Sequence, residues 1–332
     1  MNKRIVWLDM LKGWGMLLVM LGHVKIPDFL IVYIYSFHMP LFFFISGYVF
    51  NIDKYKNTVE FFKSKSRSLL IPYLSFSLLN YIFWLMFRRF ANHNPAIYKP
   101  LIGILIGMRG SEWAICTGTL WFVLALFISE IFLFFIIKYS KNKNKNIITW
   151  LLVFTFLGCL YNKFVGVRLI WSIDVSFIAV GFLGLGYLTR KNDLISIIKG
   201  KKNIILLCLI SVFASVLNGG NDMFKGVYGN YIIFYIASIA GIAINIIFIK
   251  NLPNIKLLNF IGKNTFIYLA FHQYIVFSVL NKISYKLIGN IQNNTILTLI
   301  AILFVIIALI VLYPVIYIIN KYFPFLLGKK NE

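Results

Sequence analysis

The chain reads as an all-α, polytopic integral membrane protein of about ten transmembrane helices with both termini cytoplasmic, and three observations predict it. Of 332 residues, 60% are hydrophobic, 18% aromatic and only 13% charged, a balance that soluble domains do not show. Apolar stretches recur near 5–24, 29–50, 69–87, 117–137, 147–165, 171–189, 203–217, 230–249, 264–281 and 294–320, most of them long enough to cross a hydrocarbon core. With the N-terminus inside, 22 Lys and Arg residues fall in cytoplasmic segments against 10 in outer ones. Excess Lys and Arg marks cytoplasmic loops, so the net charge of +23 records topology and contact with anionic headgroups rather than nucleic-acid binding. Residues 1–332 read as one membrane-embedded domain of a multi-pass cell-membrane protein, with no appended soluble domain.

The first span follows Lys3 and Arg4, as a signal peptide would, but no small-residue cleavage site follows and the span reads as uncleaved. At 100° per residue Asp9, Lys12 and His23 fall on one stripe, with Lys12 and His23 separated by about 16 Å along the axis. A carboxylate and an ammonium at membrane depth cost about 2.5 to 3.5 kcal/mol each, so such residues face a bundle interior or an aqueous path. An i, i+3 ion pair between Asp9 and Lys12 that merely helps insertion is the structural alternative. It leaves His23 unexplained, because a neutral imidazole in an apolar setting needs a partner for its N–H.

The second span carries Ser36-Phe37-His38-Met39-Pro40 after a very short connection, and Pro40 predicts a kink that loosens the backbone beside His38. Ser46 and Gly47 permit a close helix approach. Lys65 and Arg67 precede the third span, where they serve either as ordinary positive-inside residues or as a grip for an anionic cytoplasmic ligand. Between 88 and 116 the chain is mixed, with His93 in a polar stretch and Leu101–Met108 too short to cross, which predicts a re-entrant or interfacial element. Thr117-Gly118-Thr119-Leu120-Trp121-Phe122 opens the fourth span and Glu130 lies inside it, while Asp174 opens the sixth. Either acid can orient an imidazole or balance Lys12, and Asp174 also suits a plain helix start. In the ninth span Tyr268 and His272 form an i, i+4 pair suited to a hydrogen-bonded unit. Cys116, Cys159 and Cys208 are scattered singly, which is neither a disulfide framework nor a metal-ligand spacing, so no metal is expected.

Taken together, Arg4 with Asp9, Lys12 eleven residues ahead of His23, Phe37-His38-Met39-Pro40-Leu41-Phe42-Phe43 with Ser46-Gly47, Lys65-Ser66-Arg67 ahead of Leu70-Ile71-Pro72-Tyr73, Leu120-Trp121-Phe122, and Gly262-Lys263-Asn264-Thr265 with Tyr268 and His272 resemble the acyltransferase family 3 membrane O-acyltransferases. The fucose 4-O-acetylase-like branch is the nearest in likeness, and the match in order covers nearly the whole chain. Two departures stand out: the basic residue before the histidine, often Arg in the family, is Lys12, and the Arg-x-Arg pair is Lys65 with Arg67. Lysine carries the charge without the bidentate fork of arginine. The Tyr of the ninth span stands four residues before His272 rather than three.

The resemblance implies transfer of an acyl group, usually acetyl, from cytoplasmic acetyl-CoA or another acyl-CoA to a hydroxyl of a polysaccharide or lipid-linked sugar. His23 would be the general base, His38 or Lys12 would face the thioester oxyanion with Asp9 in support, and Lys65 and Arg67 would meet the CoA phosphates. Glu130, Asp174, Tyr268 and His272 would support them. The chemistry fits the residues, since a sugar hydroxyl is a poor nucleophile at neutral pH and an imidazole is a suitable base. Glycan acceptor and membrane lipids are the expected partners, and nucleic acid is not. A saccharide exporter without transferase chemistry is the leading alternative, although the paired halves with matching broken helices typical of transporters are not visible in the sequence.

Overall fold

The computed structural model describes residues 5–88, 95–197, 200–288 and 293–329. Among the described residues, eight helices are long and apolar enough to cross a membrane: Asp28–Val49, Thr58–Phe87, Trp121–Tyr139, Asn144–Phe164, Ile170–Lys191, Tyr231–Asn251, Thr265–Ser284 and Asn294–Tyr322. The protein is therefore all-helical and multi-pass. Two further expected spans are present as shorter helices, α1 (Val6–Gly22, 17 residues) and α9 (Lys201–Asn218). Of the charged residues used for topology, Lys3, Arg4, Arg89, Lys199 and Lys330 lie outside the described residues, as does His93.

After α1 the chain turns within five residues into α2 (Asp28–Val49), which runs unbroken through Pro40. Helix α3 (Thr58–Lys65) continues through a wide turn at Ser66–Leu70 into α4 (Ile71–Phe87), where Pro72 sits in the first turn and needs no amide partner. Residues 95–116 hold a nine-residue helix, α5 (Tyr98–Ile106), closed by Gly107 at φ +60°, and a single tight turn at Glu112–Ala114, as expected of an element too short to cross. The long helices α6 (Trp121–Tyr139), α7 (Asn144–Phe164), α8 (Ile173–Lys191), α9 and α10 (Tyr231–Asn251) follow. After the short helix α11 (Lys256–Lys263), the ninth expected span, 264–281, is built from pieces: α12 (Thr265–Phe271), a wide π turn at His272–Phe277, and the first turn of α13 (Ser278–Ile288), before α14 (Asn294–Tyr322).

Two glycine contacts set the helix spacing near the centre. On α2 and α8, Gly47 lies against the Leu183 carbonyl and Gly186 against the Phe44 carbonyl, so that a methyl at either position would collide with backbone. Helices α1 and α11 show the same reciprocity, with Gly13 against the Leu258 carbonyl and Gly262 against the Asp9 carbonyl. Lipid tails are as apolar as leucine, so close backbone approach through small residues is a principal way to associate helices in a bilayer. Helices α7, α9 and α14 turn Leu152, Phe156, Leu209, Phe213, Leu303 and Ile310 outward, the surface expected of helices bathed in lipid.

Asp28 and Lys143 are both exposed, at opposite ends of the span pattern, and report the sidedness that the charge count implies. In a background lacking Cys116, Cys159 and Cys208, an impermeant thiol reagent on intact cells is expected to label Asp28→Cys and spare Lys143→Cys. Reversed labelling would overturn the orientation.

Candidate active site

Three imidazoles converge at one end of the bundle. His272 terminates α12 where the helix widens, and its Nε2 lies 3.0 Å from His23 Nδ1, across 249 residues of sequence. Wide turns of this kind re-aim side chains and recur at functional sites. His272 Nδ1 donates to the Tyr268 carbonyl at 2.7 Å, because a carbonyl can only accept. In a neutral ring the remaining nitrogen, Nε2, then carries the lone pair and accepts from His23 Nδ1–H. The relay leaves His23 Nε2 as the unprotonated nitrogen, which is the tautomer a base requires. His38 Nδ1 donates to the Ile34 carbonyl at 2.8 Å, and its ring stands 4.8 Å from that of Tyr35, whose hydroxyl donates to the Gly22 carbonyl at 3.0 Å.

His23 and His38 line a cavity of about 300 Å³, with Thr119, Asp222, Lys225 and Gln273 among its other walls. Next to it, sharing Val19, Met39 and Leu269, is a second cavity of about 240 Å³ that reaches Lys12, Ser46 and Leu69. Lys12 and His23 thus line adjoining cavities while standing about 16 Å apart on the same helix. Asp9 does not join them: it is buried, and lines a separate hollow with Lys256 and Lys263.

The remaining expected residues fall into two ion pairs and a helical turn. Glu130 meets Lys65, whose Nζ stands 2.9 Å from each carboxylate oxygen and 5.3 Å from the centre of the Phe50 ring. The charge of Lys65 is therefore balanced inside the protein, and Glu130 balances Lys65 rather than an imidazole. Arg67 donates through Nε to the Gly328 carbonyl at 2.8 Å and borders an open hollow with Lys63 between α3 and α4. Asp174 is held by Arg109, which is 2% exposed, through two parallel hydrogen bonds, one of them 2.8 Å from Nη1 to Oδ1. Tyr268 contributes its backbone carbonyl to His272 rather than its phenol.

Arg109 and Asp174 act on the site through a loop that no sequence motif singles out. Arg109 Nε donates to the Phe224 carbonyl at 2.6 Å, and Phe224 packs against Trp121 at 6.0 Å between ring centres. This anchors the 219–230 loop, which is pinched by paired hydrogen bonds between Asp222 and Val227 and turns through Gly226 at φ +75°. The loop roofs the cavity with Asp222 and Lys225, 3.4 Å apart. The run Asn218-Gly219-Gly220-Asn221-Asp222 signals a turn, but nothing in its spacing says that the turn folds back over His23. Among the described residues no cluster of His, Cys, Asp and Glu is arranged to hold a metal ion.

The acyltransferase family 3 model, described as an acyltransferase domain, matches residues 5–319. No curated protein and no solved structure matches the chain.

Removing one partner of a buried ion pair leaves an uncompensated charge and costs about 3 to 5 kcal/mol, whereas replacing both by apolar residues is often neutral. Arg109→Ala is therefore expected to lower the thermal midpoint of the detergent-solubilised protein sharply. Arg109→Met combined with Asp174→Leu should recover most of that loss. Equal losses in the single and double variants would show that the Phe224 contact, rather than the paired charge, holds the loop.

Proposed function

The chain belongs to acyltransferase family 3, as a membrane-embedded acyltransferase, and on that footing we propose that it moves an acyl group, acetyl in the simplest case, from cytoplasmic acyl-CoA to a hydroxyl of a cell-envelope glycan or lipid-linked sugar. The observation that carries this reading is the His23–His272 pair at 3.0 Å, with the free nitrogen of His23 at the edge of a cavity. An exporter would have no need of an imidazole whose tautomer is fixed by a second imidazole.

The acceptor hydroxyl enters the outer cavity and His23 Nε2 takes its proton as the oxygen attacks the thioester carbonyl carbon. A C–O bond forms, and the carbonyl oxygen becomes an oxyanion. With Nδ1–H given to the Ile34 carbonyl, a neutral His38 offers only a lone pair at Nε2, so it faces the oxyanion as a donor only when protonated, while Lys12, about 16 Å from His23 along α1, belongs to the donor path. The intermediate collapses with cleavage of the C–S bond, and the His23 imidazolium returns its proton to the CoA thiolate. The products are an ester and free CoA. His272 is a positioning residue: it accepts from His23 Nδ1–H and so keeps Nε2 available, as the third member of a triad does for its base. On the cytoplasmic side the charge available to CoA phosphates comes from Arg67 with Lys63, because Lys65 is held by Glu130.

His23→Ala is expected to lower transfer of labelled acyl groups from acyl-CoA by about 10² to 10⁴-fold in membranes that contain normal amounts of protein. Near-normal acylation would remove His23 as the base. For His272 the expected signature is a fall in kcat with little change in KM for acyl-CoA on substitution by Ala. Partial recovery should follow in His272→Gln, whose amide oxygen can still accept from His23; a purely structural role would give no such recovery. Arg67→Ala should raise KM for acyl-CoA more than for the acceptor, and the difference should shrink as salt is raised. Equal changes for both substrates would show that Arg67 serves topology alone.

A further inference from the structure

The turn that presents His272 is held by side chains from two other segments. Three successive carbonyls of α12 each receive a side-chain donor: Tyr268 from His272 Nδ1 at 2.7 Å, Leu269 from the Thr119 hydroxyl at 2.6 Å, and Ala270 from the Asn80 amide at 3.2 Å. These carbonyls lie where the backbone ladder changes its spacing. The His272 amide bonds four residues back to Tyr268, whereas the Ser278 amide bonds five residues back to Gln273. Phe271, at the change, has φ −115° where a regular helix has about −63°. Helices depart from regular geometry where side chains insert into their ladder, so donors from Thr119 and Asn80 are placed to select the widened form over a straight one.

Both residues are buried, and Asn80 is used in a way that an apolar residue cannot replace. Its Nδ2 also donates to the Cys116 carbonyl at 3.1 Å, three residues ahead of Thr119, while among the described residues its Oδ1 has no partner. An unpaired buried acceptor is destabilising, and leucine, of similar shape, would avoid it. Leucine would also lose both donors, which tie α4 to α12 and to the stretch ahead of α6. Thr119 adds a second tie between that stretch and α12, and it lines the cavity of His23 and His38. Phe76, one turn before Asn80 on α4, packs edge-on against Phe271 with ring centres 5.3 Å apart, so apolar contact backs the same turn. We infer that Thr119 and Asn80 are positioning residues for the imidazole relay, holding α12 in the register at which His272 Nε2 reaches His23. The consequence for catalysis rests on the proposed transfer reaction, and the consequence for the geometry of the two rings does not.

The test uses the full chain in nanodiscs with isotope-labelled histidine, and compares Thr119→Val, which keeps the shape and removes the donor, with Thr119→Ser, which keeps the donor. Ring-nitrogen resonances of the unsubstituted protein are expected to show the Nδ1–H tautomer at His23 and His272. Thr119→Val and Asn80→Leu should each lose that fixed tautomer at His23, and Thr119→Ser should retain it. In acyl transfer, Thr119→Val should lower kcat by up to about 10²-fold, the cost of misplacing a reacting group by about 1 Å, with KM for both substrates nearly unchanged. Added to His272→Ala it should cost less than about twofold more, because a residue that acts through His272 then has nothing left to position. Unchanged imidazole resonances in both Thr119→Val and Asn80→Leu would overturn the inference, as would losses in kcat that multiply in the double variant. A protein that shows the tautomer changes but transfers no acyl group would uphold the positioning role and remove only the proposed reaction.

Discussion

The close approach of α1 to α11 is the constraint on which the site depends. Gly13 against the Leu258 carbonyl and Gly262 against the Asp9 carbonyl fix two helices at a distance that no side chain larger than hydrogen allows. Helix α1 carries Lys12 and ends at His23, and the residues after α11 form the short helix α12 that ends at His272. The 3.0 Å contact between the imidazoles is therefore the far consequence of backbone contacts near the start of α1. In a bilayer, where burial against lipid gives little preference for one helix neighbour over another, packing through small residues sets such positions. The same device on α2 and α8, through Gly47 and Gly186, fixes the helix that carries His38.

That constraint produces a division of labour along one path. Lys12 and His23 share a helix face, and two adjoining cavities connect them through Val19, Met39 and Leu269. Under the proposed function, a donor that delivers its acyl group from one side and an acceptor that arrives from the other would meet at His23 without either crossing the membrane. The buried pairs lie off this path and hold its walls. Lys65 with Glu130 ties the end of α3 to α6, and Arg109 with Asp174 ties the residues after α5 to α8 and to the loop roofing the cavity of His23. Buried ion pairs are weak sources of net stability but strong penalties when broken, so their use here is to specify geometry.

Much of the architecture was legible in the sequence because a bilayer leaves few choices. Backbone groups must be satisfied within each span, so apolar length and Lys/Arg asymmetry suffice to predict a multi-pass helical protein and to recognise 95–116 as too short to cross. The chemistry-bearing residues were legible for a related reason: a histidine or an acid in an apolar run needs an explanation. Their partners were not. Spacing along one helix relates Asp9, Lys12 and His23 to each other, but it cannot say that Asp9 turns toward Lys256 and Lys263 or that His23 meets a residue 249 positions later. Nor does periodicity show that the ninth span widens at His272.

The two acids illustrate the point most sharply. From sequence alone Glu130 and Asp174 are equivalent candidates for orienting an imidazole, since each is a lone carboxylate in an apolar helix. Desolvation makes such a carboxylate take the strongest cation within reach, and the fold offers Lys65 to one and the bidentate fork of Arg109 to the other. The imidazoles are then left to orient one another through backbone carbonyls. A site built this way keeps the buried carboxylates of Glu130 and Asp174 off His23, and the charges at its cavity are the Asp222–Lys225 pair of the roofing loop. That arrangement suits a reaction whose nucleophile and electrophile are both uncharged until they meet.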